Sequence, residues 1–203
     1  MRDKTTKRQR HTELHASRFA FWTITLMHDN PLLPIFRNPY KLLRAAGLRQ
    51  GQKVLEVGCG PGFFTIPAAK IVGEDGLIYA IDVNPFAIRR VKNKIAKERL
   101  RNVKPSLTNA SNTGLPESSI DLAFLFGLRY VAGGLRSVIS EMHRILKPGA
   151  LLSFEKTRGS GEELIQEVER AGFSYADRSG RIFLFTKGKG KEASRWPGRS
   201  SPS

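Results

Sequence analysis

Residues 53–72 constrain the fold of this chain more than any other segment. Lys53–Val57, KVLEV, is a short, almost continuous apolar run of the kind that forms a strand buried on both faces of a sheet. The glycine-rich residues 58–62, GCGPG, follow at once, and residues 63–72 have the composition of a helix. A strand, a tight loop and a helix in immediate succession begin a β-α-β unit, so this segment predicts a parallel sheet.

The same alternation of strand and helix continues to residue 187. Strands are predicted at residues 53–57, 77–82, 103–107, 120–126, 150–157, 173–177 and 181–187, and helices at 40–46, 63–72, 85–98, 135–146 and 162–171. Only residues 178–180 separate the last two strands, and so short a turn joins antiparallel neighbours. The predicted fold is therefore α/β, with a doubly wound, mostly parallel seven-stranded sheet that has an antiparallel edge strand.

Four segments are predicted along the chain. Residues 1–12 form a disordered basic arm, 13–47 an N-terminal helical cap or lid, 48–187 the core, and 188–203 a flexible basic tail. One hypothesis is that the apolar residues 19–27 and 32–36 fold over a binding site of the core and form an apolar pocket there. Packing against the flanking helices explains them equally well, and a peripheral contact with a membrane surface is a third reading.

Charge and cysteine content bear on partners and location. The formal net charge is +16, of which +9 remains on residues 11–187 when both basic ends are set aside. Such a balance favours anionic partners such as nucleic acid or an acidic membrane surface, although a solvated basic surface accounts for it equally well. Cys59 is the only cysteine, and no apolar run reaches the roughly 18 residues of a membrane span. No cleavage pattern follows residues 19–27, so a cytoplasmic location is predicted.

The glycine loop is the predicted binding site, because ligands of parallel sheets bind where the carboxyl ends of the strands meet. Gly58, Gly60 and Gly62 have the spacing GxGxG, and Phe63 stands where a dinucleotide-binding fingerprint has its last glycine. The backbone of such a loop and the N-terminus of the next helix suit an anionic group, here on an adenosine-bearing cofactor. Cys59 is interpreted as a small side chain tolerated in the turn.

Two acidic residues flank this loop. Glu56 lies inside an apolar strand, where a carboxylate needs a partner, either an ammonium group of the ligand or nearby backbone N–H groups. Asp82 ends the second strand, twenty residues after Gly62. It is placed to accept hydrogen bonds from ribose hydroxyls, and it also fits the N-cap of the helix that follows.

Four segments together resemble the class I S-adenosylmethionine-dependent methyltransferases: VLEVGCGPG, the acid in IYAIDVNP, GLPESSIDLAFLF and RILKPGALL. The chain is most similar to the small-molecule branch that includes the ubiquinone/menaquinone-biosynthesis enzymes, over about residues 40–187. The resemblance implies S-adenosylmethionine as cofactor and a Rossmann-like core.

The resemblance also implies a role for each residue of the predicted cofactor site. In the loop, Glu56, Gly58 and Gly60 would line the methionine and ribose, and Cys59 and Gly62 would complete the turn. At the nucleoside end, Asp82 would hold the ribose hydroxyls, Val83 would pack on adenine, and Asn109 and Ala110 would meet the adenine edge. The backbone of Phe126 and Gly127 would meet the methionine. The family usually has aspartate where Asn109 stands. Asparagine can still accept a hydrogen bond through its carbonyl oxygen.

The implied reaction is methyl transfer by direct displacement to a small acceptor, for which hydrophobic and aromatic molecules are candidates. Such a reaction depends mainly on alignment and exclusion of water. His28, Asp29, Arg129 and Tyr130 are weak candidates for a base, and helix capping or loop surface explains each of them as well. RNA methylation, nicotinamide-dependent oxidoreduction and cofactor binding without catalysis are the rival functions. The histidines are not accompanied by the ligands that a metal site needs.

Overall fold

The computed structural model describes residues 37–127, 134–156 and 159–188. Its helices are α1 Pro39–Ala45, α2 Thr65–Val72, α3 Pro85–Glu98, α4 Leu135–Ile145 and α5 Gly161–Arg170. Its strands are β1 Lys53–Val57, β2 Leu77–Asp82, β3 Val103–Leu107, β4 Ile120–Leu125, β5 Leu146–Glu155, β6 Phe173–Ser179 and β7 Ile182–Lys187. No helix within these residues is long and apolar enough to cross a membrane.

All seven strands form one sheet in the order β3-β2-β1-β4-β5-β7-β6. The pairs from β3 to β5 are parallel, whereas β7 runs antiparallel to both β5 and β6. This confirms the predicted α/β fold and its antiparallel edge, which consists of the closing hairpin. The strand order reverses between β1 and β4, so the crevice for a ligand is expected beyond the carboxyl ends of these two strands.

Helices cover both faces of the sheet because its central strands are apolar on both sides. Val54 and Leu55, adjacent in β1, are fully buried and belong to different core clusters. The cluster around Val54 includes residues of α1, α2 and α3, and the cluster around Leu55 includes residues of α4 and α5. Successive side chains of a strand point to opposite faces, so an unbroken apolar run demands a cover on each side.

Two element boundaries differ from the predictions around the closing strands. Helix α4 ends at Ile145, and β5 begins at once with Leu146, so residues 147–149 lie in the strand instead of forming a separate stop. The cause is pairing with β4, in which Leu146 lies beside Ile120 and the register shifts before the next pair. Likewise β6 continues through residues 178 and 179, because Ser179 pairs with Ile182 and leaves only residues 180 and 181 for the turn.

Candidate functional site

The glycine loop leaves β1 at the point where the strand order reverses. The N–H groups of Gly58 and Cys59 both donate to the carbonyl oxygen of Ile81, at 2.8 and 3.0 Å. The Gly62 N–H closes the turn on the Cys59 carbonyl at 3.0 Å. Helix α2 therefore begins at Thr65, two residues later than predicted, because residues 60–64 are used in the turn.

Two glycines of the loop are required for different reasons. Gly60 has φ 50°, and a Cβ added to it would meet no atom within 4 Å, so this side of the loop is open to a ligand. Gly62 has φ 86°, and an added Cβ would lie 3.2 Å from Val91 Cγ2 on α3. Gly60 thus exposes the backbone for close approach, whereas Gly62 lets the loop pack against the neighbouring helix.

Asp82 fixes the loop to the end of β2. Its Oδ2 accepts from the Gly60 N–H at 2.9 Å, and its Oδ1 accepts from the Asn84 N–H at 2.8 Å. The N-cap of α3 is Asn84, whose side chain accepts from the Phe86 N–H at 2.9 Å, so Asp82 is not the capping residue. Asp82 therefore links the glycine loop to the start of α3 at the end of β2, the position expected of a ribose partner.

Glu56 lies beneath the loop with only 2% of its surface exposed. Its Oε2 accepts from the Thr65 hydroxyl at 2.6 Å, a side-chain partner that neither interpretation of the sequence included. Burial, against the opposing effect of the Thr65 hydrogen bond and with a small addition from the nearby Asp82, raises the pKa of Glu56 from 4.5 to about 8. The group is consequently a neutral acid near pH 7 that an approaching cation would ionise.

The residues predicted to meet adenine lie beyond the ends of β2 and β3. Val83 is 40% exposed, unusual for an apolar side chain beside a buried strand, while Ala110 is buried. The Oδ1 of Asn109 accepts from both the N–H and the hydroxyl of Ser111, at 3.0 and 3.1 Å. Two donors therefore already use the carbonyl through which Asn109 was expected to meet the adenine amino group.

The loop after β4 brings Phe126 and Gly127 to the other side of the crevice. Phe126 is buried, with its ring centroid 5.4 Å from that of Phe64. The Gly127 N–H donates to Glu155 Oε2 at 2.8 Å, and the same oxygen accepts from Arg37. Neither Glu155 nor Arg37 was singled out from the sequence. Glu155 could have been, because it is an acid at the end of an apolar strand, the same signal that marked Glu56.

The remaining predicted residues bear less directly on the site. The Cys59 thiol is 4% exposed, and burial together with the neighbouring acids raises its pKa, so it is an unreactive group within the loop. Candidate bases His28, Asp29, Arg129 and Tyr130 lie outside the described residues. In the described part of the chain, no group of three or more His, Cys, Asp or Glu side chains could hold a metal ion.

Known proteins resemble this chain in sequence and in overall fold. The family described as "Methyltransferase domain" matches residues 48–195. The chain belongs to the S-adenosylmethionine-dependent methyltransferases. A solved relative, the SAM dependent methyltransferase from Aquifex aeolicus, has a TM-score of 0.69 and 27% identity, and the match covers 81% of this chain and 95% of that one.

The curated relatives include methyltransferases of menaquinone and ubiquinone biosynthesis. Demethylmenaquinone methyltransferase of Geobacillus stearothermophilus is 34% identical over 111 residues, which cover 54% of this chain and 47% of that protein. The ubiquinone/menaquinone biosynthesis C-methyltransferase UbiE of Marinomonas sp. is 30% identical over 140 residues, covering 68% and 55%. The chain spans about half the length of these curated relatives.

The cofactor of this family is S-adenosylmethionine, and the residues present fit it. Open space beside Gly60 allows backbone approach, and the Asp82 carboxylate lies next to it, at the position expected of a ribose partner. The exposed apolar Val83 follows directly, as a base-packing residue should. Glu56 lies near the end of β1, and Arg37 pairs with Glu155 beside the loop that follows β4. An acid and a base at these two places suit a ligand that carries both an ammonium and a carboxylate.

Proposed function

We propose that this chain transfers a methyl group from S-adenosylmethionine to a small aromatic acceptor of the quinol type. The observation that carries the proposal lies at the carboxyl ends of β1 and β2, where the Gly60 N–H donates to Asp82 Oδ2 at 2.9 Å and a Cβ added to Gly60 would meet open space. The acceptor class is taken from the relatives, whose names specify demethylmenaquinone and ubiquinone/menaquinone biosynthesis.

The residues of the cofactor site would divide the ligand among them. Asp82 would accept from the ribose hydroxyls, Val83 would pack on the adenine ring, and Glu56 would face the ammonium group through the loop or a water molecule. When bound, S-adenosylmethionine supplies a methyl group already activated on a sulfonium. The protein therefore needs mainly to align the acceptor and exclude water.

An apolar floor supports the exclusion of water. Phe63, Phe64, Phe124 and Phe126 form a chain of ring contacts with centroids 4.9 to 6.4 Å apart. These rings lie between β4 and the start of α2 and are at most 9% exposed. Tightly packed aromatic side chains of this kind hold a crevice in shape and keep it dry. An acceptor pocket built by residues 19–27 and 32–36 remains part of the proposal, as do His28, Asp29 and Tyr130 as candidate bases.

The proposal also includes a cytoplasmic location. Cys59 is the single cysteine and is buried, so the chain needs no oxidising environment.

A first experiment is calorimetry with S-adenosylmethionine, S-adenosylhomocysteine and NAD. We expect the two sulfur ligands to bind and NAD not to bind. Transfer of labelled methyl to a reduced 2-demethyl-naphthoquinone would then test the acceptor class, with Asp82→Ala as the control for weakened cofactor binding. Cofactor binding with no transfer to any quinol would refute the acceptor class alone.

A second candidate function, RNA methylation, is favoured by one specific surface. Helix α3 and the segment after it expose seven basic side chains: Arg89, Arg90, Lys92, Lys97, Arg99, Arg101 and Lys104. Glu98, the only acid in residues 89–104, pairs with Lys70 at 2.8 Å. A group of exposed cations on one helix and the segment after it suits a phosphate backbone.

Binding of transfer RNA at two salt concentrations would decide between the candidates. An RNA enzyme should lose affinity steeply, by about 10³-fold or more between 50 and 200 mM salt if six phosphates are contacted. Its affinity should also fall on charge reversal at Lys92 and Lys97. Lys53, an exposed cation at the start of β1, supplies the matched control reversal. RNA methylation would be removed as a candidate if the wild type, the variant reversed at Lys92 and Lys97, and the variant reversed at Lys53 all bound transfer RNA weakly and equally.

A further inference from the structure

Arg37 joins the two sides of the crevice. Its Nη2 donates to Glu155 Oε2 at the end of β5, and its Cζ lies 5.1 Å from the centroid of the Phe64 ring, just before α2. A Cβ added to Gly127 would lie 3.8 Å from Arg37 Nη1. The guanidinium thus lies between the turn that follows β1 and the loop that follows β4, where the amino-acid end of the cofactor is expected.

Glu155 holds this guanidinium in place. The side chain is 8% exposed, and its Oε2 accepts both from Arg37 and from the Gly127 N–H at 2.8 Å. A buried carboxylate is costly without such partners, so both contacts are strongly maintained. Glu155 consequently positions a cation and a peptide group of the β4 loop at the same point.

Arg37 keeps the capacity to bind a second anion. A guanidinium has five N–H donors in a rigid plane, and among the described residues its hydrogen-bond acceptor is the Glu155 carboxylate, reached through Nη2. The side chain is 27% exposed with that contact in place. The planar arrangement of donors matches a carboxylate better than any other common biological anion except phosphate.

We propose that Arg37, positioned by Glu155, is the residue that recognises the carboxylate of the cofactor's methionine. This rests on the proposed function, because it presumes that S-adenosylmethionine occupies the crevice. The ligand's amino-acid end is a zwitterion, and its two charges need partners of opposite sign. Arg37 supplies the cation on the β4 side, and Glu56 supplies the acid on the β1 side. Arg37 thereby selects cofactors with an intact amino-acid group over nucleosides that lack it.

The test compares two ligands that differ only in this carboxylate. S-adenosylhomocysteine has it, whereas decarboxylated S-adenosylhomocysteine keeps the ammonium group and lacks the carboxylate. We expect Arg37→Met to weaken binding of the first about tenfold or more, the effect of losing one charge-assisted contact, and to change the second less than about twofold. Arg37→Lys should recover part of the loss, and Glu155→Gln should show a smaller loss with the same ligand preference.

Lys70 and Glu98 supply the matched control pair. They form an ion pair at 2.8 Å between the ends of α2 and α3 farthest from the glycine loop, so Lys70→Met should bind both ligands like the wild type. Thermal unfolding of each variant establishes that the fold is intact. Should Arg37→Met not fold, Arg37→Lys and Glu155→Gln carry the same comparison.

Two outcomes would overturn the proposal. If Arg37→Met weakens both ligands equally, Arg37 only supports the fold of the crevice. If wild-type protein binds the two ligands with equal affinity, the carboxylate is not recognised at all. Failure of the proposed function gives a different result, in which the wild type binds neither ligand.

Discussion

Replacement of Glu56 by glutamine tests the electrostatics of the donor site most directly. The side chain is 2% exposed, and its pKa is raised from 4.5 to about 8 because burial disfavours the charged form. Folded protein therefore binds more protons than unfolded protein between these two values. The free energy of unfolding must then fall as pH rises through this window.

The size of the effect follows from the shift. Each pH unit in which the folded state holds one additional proton changes stability by about 1.4 kcal/mol. Between pH 5 and pH 8 the contribution of Glu56 to stability should fall by roughly 3 kcal/mol. Glutamine has a similar shape, can accept from the Thr65 hydroxyl as Glu56 does, and does not titrate. The difference between wild type and Glu56→Gln isolates this one group from all others.

Urea denaturation of both proteins at pH 5, 6, 7 and 8 measures this difference. We expect similar stabilities at pH 5 and a Glu56→Gln protein more stable by roughly 3 kcal/mol at pH 8. A difference that does not change with pH would refute the reasoning that burial keeps Glu56 protonated.

Calorimetry then asks whether Glu56 also meets the ligand. If the ammonium group of S-adenosylhomocysteine ionises Glu56, binding of this ligand at pH 7 should release up to about one proton. The release is read as a dependence of binding enthalpy on the buffer, and Glu56→Gln should abolish it. Equal release by both proteins would assign Glu56 a purely structural role.

Three further predictions concern the loop and the nucleoside end of the site. Asp82→Ala should weaken cofactor binding by about tenfold or more in calorimetry, with Asp82→Asn intermediate, because ribose hydroxyls lose an ionised acceptor; unchanged affinity would contradict the ribose role. Gly60→Ala and Gly62→Ala both place a side chain at a positive φ, which costs about 1–2 kcal/mol of stability at either position. Gly62→Ala should lose more stability, because its Cβ would also press on Val91, whereas Gly60→Ala should impair cofactor binding more, because its Cβ would enter the open space beside the loop. The reverse order in binding and denaturation assays would refute this assignment. Asn109→Asp should tighten cofactor binding, because a carboxylate can accept from Ser111 and still accept from adenine; weaker binding would place Asn109 away from the base.

Local sequence patterns were sufficient for most of the fold. The buried strands β1 and β4 and the helix α3 lie where their sequence patterns predicted, although the N-cap of α3 is Asn84 and not Asp82. The exceptions are boundaries that depend on a partner. Leu146 joins a strand because Ile120 lies beside it, and Ser179 because it pairs with Ile182. Pairing between strands is not contained in the local sequence, so such ends are decided only in the sheet.

For the site, the sequence alone determined the glycine loop, the two flanking acids and the class of cofactor. These are properties of short segments, in which the order of residues dictates the turn and the strand end. Only the tertiary structure decided which hydrogen bonds these residues make. The Thr65 hydroxyl donates to Glu56, and the Asn109 side-chain oxygen accepts from Ser111. The tertiary structure also brought together Arg37 and Glu155, which are 118 residues apart in sequence. The glycine loop could be predicted because it is a pattern within one short segment. The contact between Arg37 and Glu155 could not, because it depends on where the sheet places the ends of distant strands.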